Sequence, residues 1–351
     1  MKRIITILAL LLLVLSGVFG LSGCGGSGKS TGAKADVSKP RLKIIATIFP
    51  EYSWVKEVLG KQDAGTELTL LSKKGADMHS YQPGAEDILR IATCDLFIYV
   101  GGESDKWVDK ALKEGGNPKR KVINLMKLLG NRVRAEEEAE GMEKHDHHEH
   151  DKAGHERHDR DKHDDKHHHD DVEYDEHVWL SLKNADIACK AVAGELAALD
   201  PGNAGAYRAN YDAYSKKLTA LDKQYEEAVK NAPVKTVLFG DRFPFRYLAD
   251  DYGLKYYAAF NGCSAETEAS FETVVFLAKK IDELKLPAVL TMEGKQHKLA
   301  RTIVENTTAK NQKILTLNSM QSVTEEEIKS GVTYLKVMEE NLKALQQALA
   351  R

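Results

Sequence analysis

At 351 residues and 42% hydrophobic content, the chain is long enough for two ordinary domains, each with its own core. Its formal net charge is -3, with 50 basic and 53 acidic residues mixed along most of the length, so nothing suggests a nucleic-acid surface. The 4 cysteines are scattered and spell no disulfide framework.

The N-terminus carries Lys2 and Arg3, an apolar run from Ile4 to Leu15, and then Leu21-Ser22-Gly23-Cys24. A charged start, a short apolar stretch and small residues before a cleavage point predict a signal peptide over 1–23, and the run is short for a spanning helix. The Leu-Ser-Gly-Cys ending resembles bacterial lipoprotein signals, which implies that Cys24 is lipidated and opens the mature chain. Residues 24–40, rich in Gly, Ser and Lys, then form a flexible tether. The expected location is extracytoplasmic, anchored by lipid to the outer face of the cell membrane, or periplasmic in a Gram-negative cell.

From 41 to 200 the pattern alternates strand and helix. The β-branched run Leu42 to Ile48 is a strand and Tyr52 to Leu59 a helix. Glu67 to Leu71 is a second strand, leading through a loop to His79. Pro83 opens a helix that runs to about Thr93, and Asp95 to Val100 and Lys121 to Leu125 are further strands. Such alternation predicts a parallel sheet with its ligand outside the carboxyl ends of the strands, where Phe49, His79 and Gly101 gather.

Between Glu143 and His177 stand eleven histidines among acidic and basic residues, almost without an apolar side chain. As structure this is a solvated, disordered charge run over 143–171; as chemistry it is a metal-binding tract. The lobe resumes at Tyr174, and a helix follows from Leu182 to Ala198. Tyr207, Tyr211, Tyr214, Leu218, Leu221, Tyr225 and Val229 then recur at steps of three or four. They give one apolar face to a helix over 203–230, roughly 40 Å long, read as a strut between lobes. From 233 to 351 a second α/β lobe is expected, with strands at Val234–Phe239, Tyr256–Phe260, Ala288–Thr291 and Ile314–Leu317 and a closing helix from Gly331 to Leu349. Cys94 and Cys189 read as small core residues.

No Gly-x-Ser-x-Gly elbow, Walker loop, Gly-x-Gly-x-x-Gly fingerprint or His-Glu-x-x-His helix occurs, so the chain does not read as an enzyme. What stands out is the pair His79 and His177, each at an element boundary of the first lobe. Gly75-Ala76-Asp77-Met78-His79-Ser80-Tyr81-Gln82-Pro83, Asp95-Leu96-Phe97-Ile98-Tyr99-Val100-Gly101-Gly102 and Asp175-Glu176-His177-Val178-Trp179-Leu180 together resemble the metal-binding lipoproteins of bacterial ABC importers, the cluster A-I solute-binding proteins. The His-rich acidic tract before the third motif is similar to that of the family's zinc-type members.

The resemblance implies two small α/β lobes joined by one long rigid helix, with a metal held in the cleft by ligands from both. His79 and His177 match the family's two first-lobe histidines. The third ligand is expected upstream of Tyr247-Leu248-Ala249-Asp250-Asp251-Tyr252-Gly253-Leu254, where no histidine stands and the segment is about two residues longer; Asp241 is the best match there. For the fourth position Glu266, Glu268, Glu293, Cys263 and a water stay open, since Met78 and Asn318 replace carboxylates used elsewhere in the family. Glu266 and Glu268 equally suit the start of a helix.

Imidazoles with carboxylates suit zinc and also manganese, and the tract favours zinc. The expected function is capture of Zn2+ and its delivery to an ABC permease and its ATPase by a lipid-anchored monomer. Alternatives are a manganese receptor of the same family, a surface zinc buffer or adhesin acting through the tract, and, least supported, a zinc hydrolase. His145, His147, His148, His150, His155, His158, His163, His167, His168 and His169 are read as an accessory antenna. Binding is expected to weaken as imidazoles protonate below about pH 6.5.

Overall fold

A computed structural model describes residues 42–350, apart from 64, 73, 74, 76, 144–171, 265–267, 295 and 296. The expected signal peptide and tether, with Cys24, and also Glu266 and the ten histidines read as an accessory antenna, lie outside the described residues.

The first lobe runs β1 (Leu42–Ala46), α1 (Phe49–Leu59), β2 (Thr66–Leu70), α2 (Ala85–Thr93), β3 (Leu96–Tyr99), α3 (Lys106–Lys113), β4 (Lys121–Asn124), α4 (Leu125–Leu129) and α5 (Leu182–Leu199). Then comes the long helix α6 (Ala204–Asn231). The second lobe runs β5 (Thr236–Phe243), α7 (Arg246–Tyr252), β6 (Lys255–Asn261), α8 (Phe271–Leu284), β7 (Ala288–Thr291), α9 (Lys298–Glu305), β8 (Lys313–Thr316), α10 (Glu325–Lys329) and α11 (Tyr334–Leu349). Both sheets are parallel and four-stranded, in the orders β2-β1-β3-β4 and β6-β5-β7-β8.

The central strands are continuous apolar runs because helices cover both faces; every residue of β3 is buried, as is every residue of β7. In each sheet the chain crosses to the other side of its first strand between the second and third, which opens a crevice at the carboxyl ends of β1 and β3 and of β5 and β7. Helix α3, Lys106–Lys113, is not foreseen by the sequence pattern: its buried Val108 and Ala111 make a stripe only one turn long.

The α6 stripe follows the expected spacing, with Tyr207, Tyr214, Leu218, Leu221, Tyr225 and Val229 buried and Tyr211 half-buried at its edge. Near its start Asn210 donates to the Val58 and Leu59 carbonyls at the end of α1, at 2.9 and 3.2 Å. Near its end the Tyr225 hydroxyl donates to the Met338 carbonyl of α11 at 2.6 Å. One apolar core runs through both lobes, from Ile44 and Trp54 past Trp179 and Tyr207 to Phe239, Leu290 and Tyr334. Sliding one lobe on the other would break that shared packing, so the strut is a rigid connection.

Strand β5 continues through Asp241 to Phe243, past the expected end at Phe239. Its pairing with β6 shifts register between Phe239 and Arg242, and the Asp241 carboxylate stitches the irregularity by accepting from Arg242 N at 2.8 Å and Met292 N at 3.2 Å.

Candidate metal centre

His79 lies in a single 3-10 turn after β2, Met78–Ser80, where the Asp77 side chain accepts from His79 N at 3.1 Å. His177 stands just before a second such turn, Val178–Leu180, and is fully buried. The two rings face each other across the crevice, Nε2 to Nε2, at 3.2 Å.

Hydrogen bonds made by the other ring nitrogens assign the tautomers. Ser104, in the loop after β3, uses its hydroxyl to donate to Glu176 Oε2 at 2.5 Å and its backbone N to donate to Glu176 Oε1 at 2.9 Å. That leaves the hydroxyl as an acceptor for His79 Nδ1–H at 2.8 Å. His177 Nδ1–H donates to Asp175 Oδ1 at 2.9 Å, and the same oxygen accepts from His177 N at 2.8 Å. Each imidazole therefore carries its proton on Nδ1 and aims an Nε2 lone pair at the other. Two acceptors at that distance repel unless a proton or a metal cation stands between them, and a carboxylate behind an imidazole is the support a metal-binding ring requires.

Burial, and after it the neighbouring His177, push His79 down to about 4, so its ring stays neutral well below neutral pH. Burial would raise the Asp77 carboxyl, but the Arg242 hydrogen bond and charge, with His79, hold it below its ordinary value. Arg242 comes from β5 and bonds Asp77 Oδ2 at 2.8 Å, an ion pair that ties the two lobes beside the histidines. The lobes meet again where Tyr247 OH donates to the Asp175 carbonyl at 2.7 Å and Trp179 Nε1 to the Ser319 carbonyl at 2.8 Å.

From the second lobe, the turn after β6 brings Cys263 to the pair: its Sγ and the two imidazole nitrogens lie within 4.8 Å of one another. Gly262 makes the approach possible, since a Cβ there would stand 2.9 Å from His177 Cε1 and 3.0 Å from the Phe243 carbonyl. Gln321, 3% exposed, closes the remaining side. With its amide oriented so that the NH2 donates to Asp77 Oδ1 at 2.9 Å and Oδ2 at 3.3 Å, the carbonyl oxygen is a further acceptor turned on His177 Nε2 at 3.1 Å, a contact that a proton or a cation at that nitrogen satisfies.

The other expected ligands stand elsewhere. Asp241 is engaged by the two backbone N–H groups within its sheet. Glu293 accepts from Ser319 N and Oγ at 2.7 Å each and from Gln321 N at 3.3 Å, which shapes the loop that carries Gln321. Glu268 is exposed. None of the three belongs to the His79–His177–Cys263 group. Sequence reasoning left Cys263 among several options, and it did not single out Ser104, Asp175, Arg242 or Gln321. Only Asp175 carried a signal, as the carboxylate two residues before a histidine.

Two parallel α/β lobes share a core and bring the His79 and His177 imidazoles together in the cleft between them, the architecture of a two-lobed binding protein. Residues 44–348 match the family described as ZnuA, zinc-uptake complex component A, periplasmic, and the chain belongs to that family. It is 32% identical over 311 residues to the zinc-binding lipoprotein AdcA of Streptococcus pneumoniae, covering 88% of this chain and 56% of the relative. The chain thus spans about half the length of that streptococcal protein. With the high-affinity zinc uptake system protein ZnuA of Bacillus subtilis it shares 30% identity over 320 residues, 91% of each chain. The crystal structure of the Zn(II)-bound ZnuA-like domain of Streptococcus pneumoniae AdcA is similar with a TM-score of 0.65 at 29% identity, covering 88% of this chain and 99% of that one.

Proposed function

We propose that this protein captures Zn2+ outside the cytoplasm and presents it to the permease of an ABC importer, without chemical turnover. The observation that carries the reading is the 3.2 Å separation of the His79 and His177 Nε2 atoms, each ring having committed its Nδ1–H elsewhere. Two nitrogens about 2.0–2.1 Å from a tetrahedral zinc stand about 3.3 Å apart, so the pair is spaced for one ion. The names of the relatives support zinc over manganese.

The partners in this reading are a permease and its ATPase, and the receptor is a monomer held to the membrane through lipidated Cys24. The ten histidines from His145 to His169 act as an antenna that collects zinc near the cleft and are dispensable for the principal site. Metal analysis of purified protein after dialysis against a competing chelator tests the reading. One tightly held zinc per chain is expected, lost on joint His79→Ala and His177→Ala substitution and kept on removal of 144–171. A stoichiometry unchanged by the double substitution would remove the cleft site from the account.

A further inference from the structure

We infer that Cys263 is the second lobe's ligand to the captured ion, bound as thiolate, and that it makes the site selective for thiophilic divalent ions such as zinc and cadmium over hard ones such as manganese. This rests on the reading of the His79–His177 pair as the ion site. The thiol stands within 4.8 Å of both imidazole nitrogens. A tetrahedral zinc with Zn–S of about 2.3 Å needs nitrogen–sulfur edges of about 3.6 Å, so Sγ has at most about 1 Å to close on ring nitrogens that lie within 4.8 Å.

Elimination among the neighbouring carboxylates points the same way. Asp77 is held by Arg242, Asp175 by His177 Nδ1 and Glu176 by Ser104, Asp241 and Glu293 serve backbone donors, and Glu136 accepts from Asn261 Nδ2 at 3.0 Å and from the Cys263 thiol itself. Among the described residues, that leaves the Cys263 thiol as the second-lobe ionisable donor facing both rings. The turn that carries it is fixed rather than loose: Gly262 lies against the His177 ring, and the Ser264 carbonyl accepts from Arg242 Nη1 at 3.2 Å. The Gln321 carbonyl oxygen, 3.1 Å from His177 Nε2, offers a fourth, neutral donor.

The resulting set is two imidazole nitrogens, one sulfur and one amide oxygen. Burial and the carboxylates of Glu136 and Asp175 push the metal-free thiol well above its ordinary value. On ligation the S–H bond breaks as the metal–sulfur bond forms, and the proton leaves by way of Glu136, which already accepts the thiol's hydrogen bond, to solvent. Thiolate donors favour zinc and cadmium, whereas manganese prefers oxygen.

Cobalt(II), titrated into the full chain, is the probe, because a thiolate on cobalt gives a near-ultraviolet charge-transfer band that histidines of the antenna cannot produce. The band is expected in the wild type and in Cys24→Ser and absent in Cys263→Ser. Loss of an outer-shell partner alone costs about 10- to 100-fold in affinity, so Cys263→Ser should weaken cadmium binding by at least about 100-fold. Cys263→Asp should lose cadmium affinity and gain manganese affinity.

A wild type that binds one cobalt, loses it on His79→Ala with His177→Ala, yet shows no charge-transfer band would overturn the thiolate and leave the receptor reading standing. Cobalt binding indifferent to both histidines would overturn the two together.

Discussion

Glu51 offers a stability test independent of any metal. It is the third residue of α1 and fully buried. Its Oε2 accepts from Thr47 N at 2.8 Å, Thr47 Oγ1 at 3.1 Å and Ile48 N at 3.2 Å, while Oε1 has no partner. Three donors and a helix N-terminus favour the carboxylate. Burial, and then the charge of Asp105, oppose them and win, raising the group from 4.5 to about 8. Between those values the folded chain keeps a proton that the unfolded chain releases, so stability falls as pH rises. At 1.36 kcal/mol per unit the loss across the window is about 3–5 kcal/mol, complete above the folded value. Glu51→Gln copies the neutral acid, its carbonyl taking the three donors. Urea unfolding of both proteins from pH 4.5 to 8.5 should give equal stabilities at the acid end and a variant more stable by about 3–5 kcal/mol at the alkaline end. Parallel curves across the window would refute the assignment of a buried neutral acid.

His79 has the opposite sign: its value is lowered to about 4, so the unfolded chain binds a proton there first and the metal-free protein loses stability as pH falls from about 6.5 toward 4. Thermal melts of metal-free His79→Asn protein should be flatter over that range than those of the wild type. Asp175→Asn leaves the His177 ring without its carboxylate support and should weaken zinc binding about 10- to 100-fold in a chelator competition, with the far-ultraviolet spectrum unchanged. Tyr247→Phe removes the acceptor of Arg134 N at 3.0 Å and the donor to the Asp175 carbonyl, and should cost about 1–3 kcal/mol in urea unfolding. Removing 144–171 should leave the affinity of the principal site within about twofold by calorimetry, because His79, His177 and Cys263 all lie outside that stretch of sequence.

The two first-lobe histidines were legible because each sits in a run of characteristic residues at the end of an element. Their meeting at 3.2 Å across 98 positions of sequence follows from the parallel sheet, which delivers the loops after β2 and β3 and the segment before α5 to one edge. The tyrosine stripe of α6 was legible for a similar reason: a long helix repeats its signal many times, whereas α3 repeats it once.

The second lobe's contribution was harder to read. Asp241 stands where a loop ligand was expected, but β5 extends through it and its carboxylate is absorbed by β7. Cys263 reaches the cleft because Gly262 admits close contact with His177, a steric fact with no sequence periodicity. Gln321 owes its place to the loop shaped around Glu293, and an amide in a loop carries no motif.

Diffraction from a zinc-loaded crystal on both sides of the zinc edge locates the bound ion itself. One strong anomalous peak is expected in the cleft, about 2.0–2.1 Å from Nε2 of His79 and of His177. Anomalous density confined to residues 144–171, with the two imidazole nitrogens still facing each other across an empty gap, would contradict it.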